Sequence, residues 1–307
     1  MRTIEEAVQA ATRCLNGVGI ENAREESEFL VATCLKVQRA QLIWHRHRRL
    51  PENKIRAVQA WLNERQKRKP LAYVSGEQPF RNLHLKVSPA VLVPRPETEL
   101  LVEQAFRLLD SMSSSPAAAG RGSMDSPPVT AGNDDRFVAV DVGTGSGAIA
   151  LSLSSHPRVA RVIAIDISAE ALRVARANGR AHRRAPVEWL EGDLLAPLLK
   201  RHTCADMVVA NLPYVRSSEM KVLEPELLWE PVMALDGGAD GLRFIEPCAG
   251  QAAQVLRPGG ILLFEIGADQ PQAVTGLLAR QGHWTDIQVF RDFAGLPRIV
   301  QSRRRGI

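Results

Sequence analysis

Apolar residues recur at helical spacing from the start of the chain. Ile4, Ala7, Val8, Ala11, Leu15 and Val18 fall on one face, and Thr3 with Glu6 makes a capping-box pattern ahead of them. Asn16-Gly17 and Gly19 then break the run. The same periodicity predicts a helix over 24–36 with Phe29, Leu30 and Leu35 inward, and another over 52–67 through Ile55, Val58 and Leu62. Residues 1–70 therefore read as a small all-α domain. Between 71 and 93 the period shortens to two, as in Leu83-His84-Leu85-Lys86-Val87, with Gly76, Pro79 and Pro89 as punctuation. This predicts a hairpin-like linker. Pro94-Arg95-Pro96-Glu97-Thr98-Glu99 then opens a helix with Leu100, Leu101 and Phe106 on its apolar face. A proline in the first turn and acids at the positive end of the helix dipole both favour that start.

From Phe137 onward, continuous apolar runs alternate with amphipathic stretches. Strands are predicted over 137–142, 162–166, 187–190, 206–210, 260–266, 286–290 and 298–301, with helices starting at Gly147 and Ser168 and another near 271–280. Uninterrupted apolar strands separated by helices mark a mainly parallel sheet covered on both faces, an α/β domain of Rossmann-like type spanning 94–307. Ligands of such sheets bind at the carboxyl ends of the strands. Within this domain, 111–135 consists mostly of Ser, Pro, Ala, Gly and Asp. It has too little apolar surface to offset the entropy of ordering, so a mobile surface loop is expected.

Composition narrows the function classes. A length of 307 residues suits two domains, and 45% apolar with 24% charged residues is ordinary for a globular protein, which excludes global disorder. A formal charge of +5 over this length is too dilute to argue for a nucleic-acid substrate. Arg46-His47-Arg48-Arg49, Arg183-Arg184 and Arg303-Arg304-Arg305 read as solvated faces or tails. Cys14, Cys34, Cys204 and Cys248 lack a CxxC spacing and the histidines lack HxxxH, so no metal or disulfide framework is expected. Glu5 and Glu6 stand where a signal peptide would be apolar, and no run of about 18 apolar residues occurs. A cytoplasmic protein without membrane contact is expected.

Two motifs carry the chemistry. Asp141-Val142-Gly143-Thr144-Gly145-Ser146-Gly147 lies at a predicted strand-to-helix turn, where missing side chains let the backbone approach a nucleotide-like cofactor. With Ala148 it also satisfies G-x-G-x-x-G/A, so by itself it leaves a nicotinamide dehydrogenase open. Asp166 ends the next strand, where an acid accepts from both ribose hydroxyls or else caps the helix at Ser168. Asp193 is placed to accept from an adenine amino group while Leu194 packs on the ring; an ordinary turn is the alternative.

The second motif, Asn211-Leu212-Pro213-Tyr214, follows the predicted strand 206–210. Asn211 Oδ1 and the Leu212 carbonyl can accept both hydrogens of a planar NH2 group while Tyr214 stacks on it. An amide nitrogen is a poor nucleophile because its lone pair is delocalised. Holding both hydrogens turns that lone pair toward an activated methyl, as on the sulfonium of S-adenosyl-L-methionine. The pairing of the two motifs thus points to methyl transfer to nitrogen.

The motifs and their order resemble the protein-glutamine N5-methyltransferases that modify peptide chain release factors. Matching segments are Pro70-Leu71-Ala72-Tyr73-Val74-Ser75-Gly76-Glu77, Val93 to Glu99, Asp141 to Gly147, Asn211 to Tyr214, Glu230-Pro231, Gly237 to Leu242 and Phe264-Glu265-Ile266-Gly267. The resemblance implies a class I S-adenosylmethionine methyltransferase domain preceded by a helical domain that docks the protein substrate. It implies cofactor contacts from Gly143 to Gly147, Asp166, Leu194 and Asn211, and a Gly-Gly-Gln glutamine held by residues 211–214. Leu212 departs from the usual Asn-Pro-Pro-Tyr, and Asn-Leu-Pro-Tyr also occurs in rRNA adenine dimethyltransferases. An adenine N6-methyltransferase acting on RNA or DNA therefore stays open, as does a docking protein that keeps the fold without turnover.

Overall fold

The computed structural model describes residues 3–112, 136–182 and 186–306. The predicted loop over 111–135 lies beyond residue 112 outside the described residues, as does the Arg183-Arg184 pair.

The amino-terminal part is helical as expected: α1 (Ile4–Asn16), α2 (Ala23–Leu35), α3 (Gln41–His45) and α4 (Glu52–Gln66). Thr3 Oγ1 accepts from the Glu6 N–H at 3.2 Å, forming the cap predicted for α1. Its core joins Ile4, Val8 and Leu15 to Leu30, Val58 and Leu62. On α2 the inward face is set by Ala23, Ser27, Leu30, Val31 and Cys34, whereas Phe29 and Leu35 are only half-buried. Small residues let α2 lie close against α1, which turns the larger side chains toward the rim.

The segment predicted as a linker divides in two. A short helix, α5 (Leu71–Ser75), lays Leu71 and Val74 on the helical core. The antiparallel hairpin β1 (Glu77–Phe80) and β2 (Leu83–Lys86) puts Phe80, Leu83 and Leu85 into the core of the following domain.

Helix α6 (Pro96–Ser111) starts at the predicted proline, and Leu101, Val102, Ala105, Leu108 and Leu109 form its buried stripe. A seven-stranded sheet follows, in the order β5 (Val187–Glu191), β4 (Val159–Asp166), β3 (Phe137–Val142), β6 (Ala205–Ala210), β7 (Leu256–Glu265), β9 (Pro297–Arg304), β8 (Trp284–Arg291). The strands from β5 to β7 are parallel, and β9 runs antiparallel to both β7 and β8. Crossover helices α7 (Ala148–Leu153), α8 (Ala169–His182), α9 (Ala196–Lys200), α10 (Ile245–Val255) and α11 (Pro271–Gln281) complete the domain. The chain winds outward from β3 through β4 to β5 and then returns to β6 on the other side of β3. The switch point of the topology therefore lies between β3 and β6, where doubly wound sheets open a crevice at their carboxyl ends. No helix among the described residues is long and apolar enough to cross a membrane.

The two parts are tied by a nearly buried guanidinium. Arg65 on α4 donates to both carboxylate oxygens of Glu26, at 2.6 and 3.0 Å, and to Glu226 at 2.9 Å. Arg68 donates to the second Glu226 oxygen at 2.9 Å. Burial works to raise the Glu226 carboxyl, but the hydrogen bonds from Arg68 and Arg65 outweigh it and hold the group below the usual range. Removing one partner of a buried pair leaves charge uncompensated, so Arg65→Ala is expected to destabilise the protein by about 3 kcal/mol. A urea-denaturation midpoint unchanged from wild type would contradict this.

Candidate active site

The glycine turn and the Asn211 tetrapeptide meet at the switch point. Val142 pairs with Ala210 in the β3–β6 register, so Gly143 and Asn211 are the next residues on neighbouring strands. A Cβ added at Gly143 would stand 3.1 Å from Leu212 Cδ2 and 3.7 Å from the Asn211 carbonyl oxygen. Both motifs open into one cleft of about 630 Å³, a size suited to a small-molecule cofactor.

The glycine turn is held from within. Asp141, fully buried, accepts through Oδ2 from Thr144 Oγ1 at 2.6 Å and from the Ala150 N–H at 3.0 Å. Burial pushes its carboxyl up to about 7 against these two hydrogen bonds. The N–H groups of Gly143 and Thr144 go to the Ile165 carbonyl, that of Gly145 to Asp166 Oδ2 at 2.8 Å, and that of Gly147 to the Thr144 carbonyl. Most of the turn's donors are thus used within the protein. The glycines provide room instead: Gly143, Gly145 and Gly147 all have positive φ, and a Cβ at Gly145 would meet only the Gly143 carbonyl oxygen, at 4.0 Å.

Gly147 does not line the cleft. A Cβ there would approach Trp189 Cη2 to 3.1 Å and Ala175 Cβ to 3.3 Å, so its role is the close packing of α7 against α8 and β5. Thr144, Ser146, Asp166, Asp193 and Leu194 do line the cleft as expected. The cap read for Asp166 is formed, with Oδ1 accepting from the Ser168 N–H at 2.9 Å, while Oδ2 fixes the Gly145 N–H. Burial raises its carboxyl above the ordinary range, and these backbone hydrogen bonds pull the other way.

Asn211 is fixed by two residues to which the sequence reading gave no role. Its Nδ2 donates to Thr98 Oγ1 at 3.0 Å, and Thr98 Oγ1 lies 2.7 Å from Glu265 Oε2. Among the described residues no hydrogen bond is donated to Asn211 Oδ1 or to the Leu212 carbonyl, and both residues line the cleft. Pro213 also lines it, but Tyr214 does not. The Tyr214 ring packs against the apolar core, and burial, with Glu265 nearby, raises its phenol. Glu265, Arg298, Glu97 and Arg95 surround its phenol, and Gln270 Nε2 holds its carbonyl at 3.1 Å.

A family model described as the PrmC N-terminal domain matches residues 6–76, and a methyltransferase domain matches 139–225. A release factor glutamine methyltransferase from Moorella thermoacetica is 40% identical over 308 aligned positions covering 99% of both chains. One from Clostridium acetobutylicum is 32% identical over the same share of both chains. The chain belongs to the release factor glutamine methyltransferase family. A solved protein-(glutamine-N5) methyltransferase from Alicyclobacillus acidocaldarius is 26% identical, with a TM-score of 0.41 over 72% of this chain and 100% of its own.

Within this family the Asn-Leu-Pro-Tyr variant has a local cause. Leu212 is buried in the core and its side chain lies against the glycine turn, so Leu occupies space that Gly143 leaves open. The tetrapeptide's backbone is clamped from the other side by the Gly237 to Leu242 segment. A Cβ at Gly237 would come within 2.7 Å of the Pro213 carbonyl oxygen. One at Gly241, where φ is +76°, would come within 2.4 Å of the Tyr214 carbonyl oxygen. Left-handed strain alone costs about 1–3 kcal/mol, so Gly241→Ala should lower the melting temperature and turnover together. Unchanged melting would show that the clamp yields.

Proposed function

We propose that the chain transfers a methyl group from S-adenosyl-L-methionine to the side-chain amide N5 of the glutamine in the Gly-Gly-Gln motif of peptide chain release factors. The observation that carries this reading is the Asn211 carboxamide, tied down through Nδ2 with its oxygen left without a donor among the described residues, next to Leu212 in the lining of the cleft. Two acceptors side by side suit a planar NH2 group.

The cleft residues fit the cofactor. Gly143 and Gly145 leave space for it, Asp166 offers carboxylate oxygens to the ribose hydroxyls, and Asp193 with Leu194 offers an acceptor and an apolar face to adenine. When bound, S-adenosylmethionine supplies an activated methyl on its sulfonium. Asn211 and Leu212 then orient the substrate nitrogen, with Pro213 stiffening the turn. Tyr214 stacks on the planar amide, and the helical domain of residues 1–70 docks the protein substrate. A partner in translation implies a cytoplasmic enzyme.

An adenine amino group presents the same hydrogens, so the test must separate the substrates. Incubation with labelled cofactor should place label on the Gly-Gly-Gln peptide of a release factor, read by mass spectrometry, and none on a variant lacking that glutamine. Label on bare rRNA and none on release factor would overturn the assignment.

A further inference from the structure

We propose that Thr98 and Glu265 are positioning residues that decide which end of the Asn211 carboxamide faces the cleft. The inference rests on the methyl-transfer reading above and deepens it. Its basis is a chain of three side chains from three elements: Asn211 after β6, Thr98 in the first turn of α6, and Glu265 at the end of β7. Thr98 is 4% exposed and Glu265 1% exposed, so no bulk water competes for their hydrogen bonds.

A hydroxyl has one proton to give. While Glu265 is ionised it can only accept, so Thr98 Oγ1, 2.7 Å away, spends its proton on Oε2. The remaining lone pairs of Thr98 can then only accept, and within the Asn211 side chain the NH2 end alone can donate to them. The 3.0 Å contact is that bond, and Oδ1 is left as the acceptor available to the cleft. A carboxamide turned the other way would offer NH2 to a substrate NH2, donor against donor, and the substrate nitrogen would lose its clamp.

Protonation of Glu265 removes the constraint. A carboxylic acid can donate to Thr98, which frees the hydroxyl proton for Asn211 Oδ1 and admits the flipped carboxamide. The charged and titratable groups around Glu265 are Glu97 on α6, Arg298 on β9 and Tyr214 after β6. Burial is the largest influence and pushes the Glu265 carboxyl up to about 7, opposed by the hydrogen bonds of Thr98 and, more weakly, of Asn211 itself, whose NH2 end the ionised carboxylate also favours. The ionised form is the one that holds Oδ1 toward the cleft. Turnover should therefore rise with pH through that region and fall as Glu265 takes up its proton.

The test compares Thr98→Val, Thr98→Ser and Glu265→Gln in the full-length protein, using a release factor and labelled S-adenosylmethionine. Loss of the hydroxyl should lower kcat by about tenfold or more while cofactor Kd stays within about twofold, because only orientation is lost. Thr98→Ser should restore kcat to within about threefold, since it keeps both the donor and the acceptor. Glu265→Gln should lower kcat and remove the acidic limb of its pH profile. If Thr98→Val fails to fold, the serine variant and the glutamine variant's pH profile still decide. Wild-type kcat in Thr98→Val, or an acidic limb persisting in Glu265→Gln, would overturn the inference while release-factor methylation stood. Absence of methylation by the wild type would instead overturn the underlying reading.

Discussion

Asn211→Ala is expected to bind S-adenosylmethionine nearly as well as the wild type and to transfer its methyl about 10²-fold more slowly, or worse. The separation follows from where the side chain is held. Nδ2 is committed to Thr98 on the protein side. What truncation removes is therefore Oδ1, the acceptor assigned to the substrate's amide. The Leu212 carbonyl remains, but one acceptor fixes a single N–H and leaves the amide free to rotate back into conjugation. Thr98 also loses its donor, although its bond to Glu265 persists, so the fold should survive. Single-turnover transfer to a release factor, set beside calorimetric cofactor binding, reads the two effects apart. Equal losses in both would mean that Asn211 serves mainly as a cofactor ligand, and full activity would remove it from the chemistry.

How far such a site was legible in the sequence depends on how local its parts are. The glycine turn and the Asn211 tetrapeptide each belong to one strand end, so their motifs announced them, and the alternation of strands and helices placed both on the same edge of a parallel sheet. Thr98 and Glu265 lie 113 and 54 positions from Asn211, and only the crossing of α6 with the end of β7 brings them together. Both fall in segments that carry the family resemblance, but a threonine in a first helical turn and an acid after an apolar strand have ordinary explanations, so nothing local gave them a role. Helix α10 escaped detection because its buried stripe of Ile245, Cys248, Ala249, Ala252 and Ala253 is mostly small residues, although the spacing is helical. Strand β9 continues beyond its predicted end because Arg303 and Arg304 pair with Thr285 and Trp284. Arginines at a strand end look like a solvated tail unless the partner strand is known. The hairpin looked like a linker because alternation reveals one buried face and not which core it joins.

Asp166→Ala should show the opposite separation, with cofactor affinity falling first. The carboxylate has two tasks in the structure: Oδ2 holds the Gly145 N–H and Oδ1 holds the Ser168 N–H, which together fix the turn against the start of α8. Its remaining acceptor capacity faces the cleft, where ribose hydroxyls would bind it. Hydrogen bonds to a charged group contribute about 1.5–3 kcal/mol each. Loss of one of them should weaken Kd by roughly 10–10²-fold, with kcat at saturating cofactor within about threefold. The pH dependence has a definite sign. Only the ionised carboxylate accepts at both oxygens, and burial raises its pKa above the ordinary aspartate value. Wild-type cofactor affinity should therefore decline on acidification earlier than an exposed aspartate would allow, and that limb should vanish in Asp166→Ala. Titration calorimetry across pH measures both effects. A variant with wild-type Kd but collapsed turnover would reassign Asp166 from cofactor binding to the transfer step.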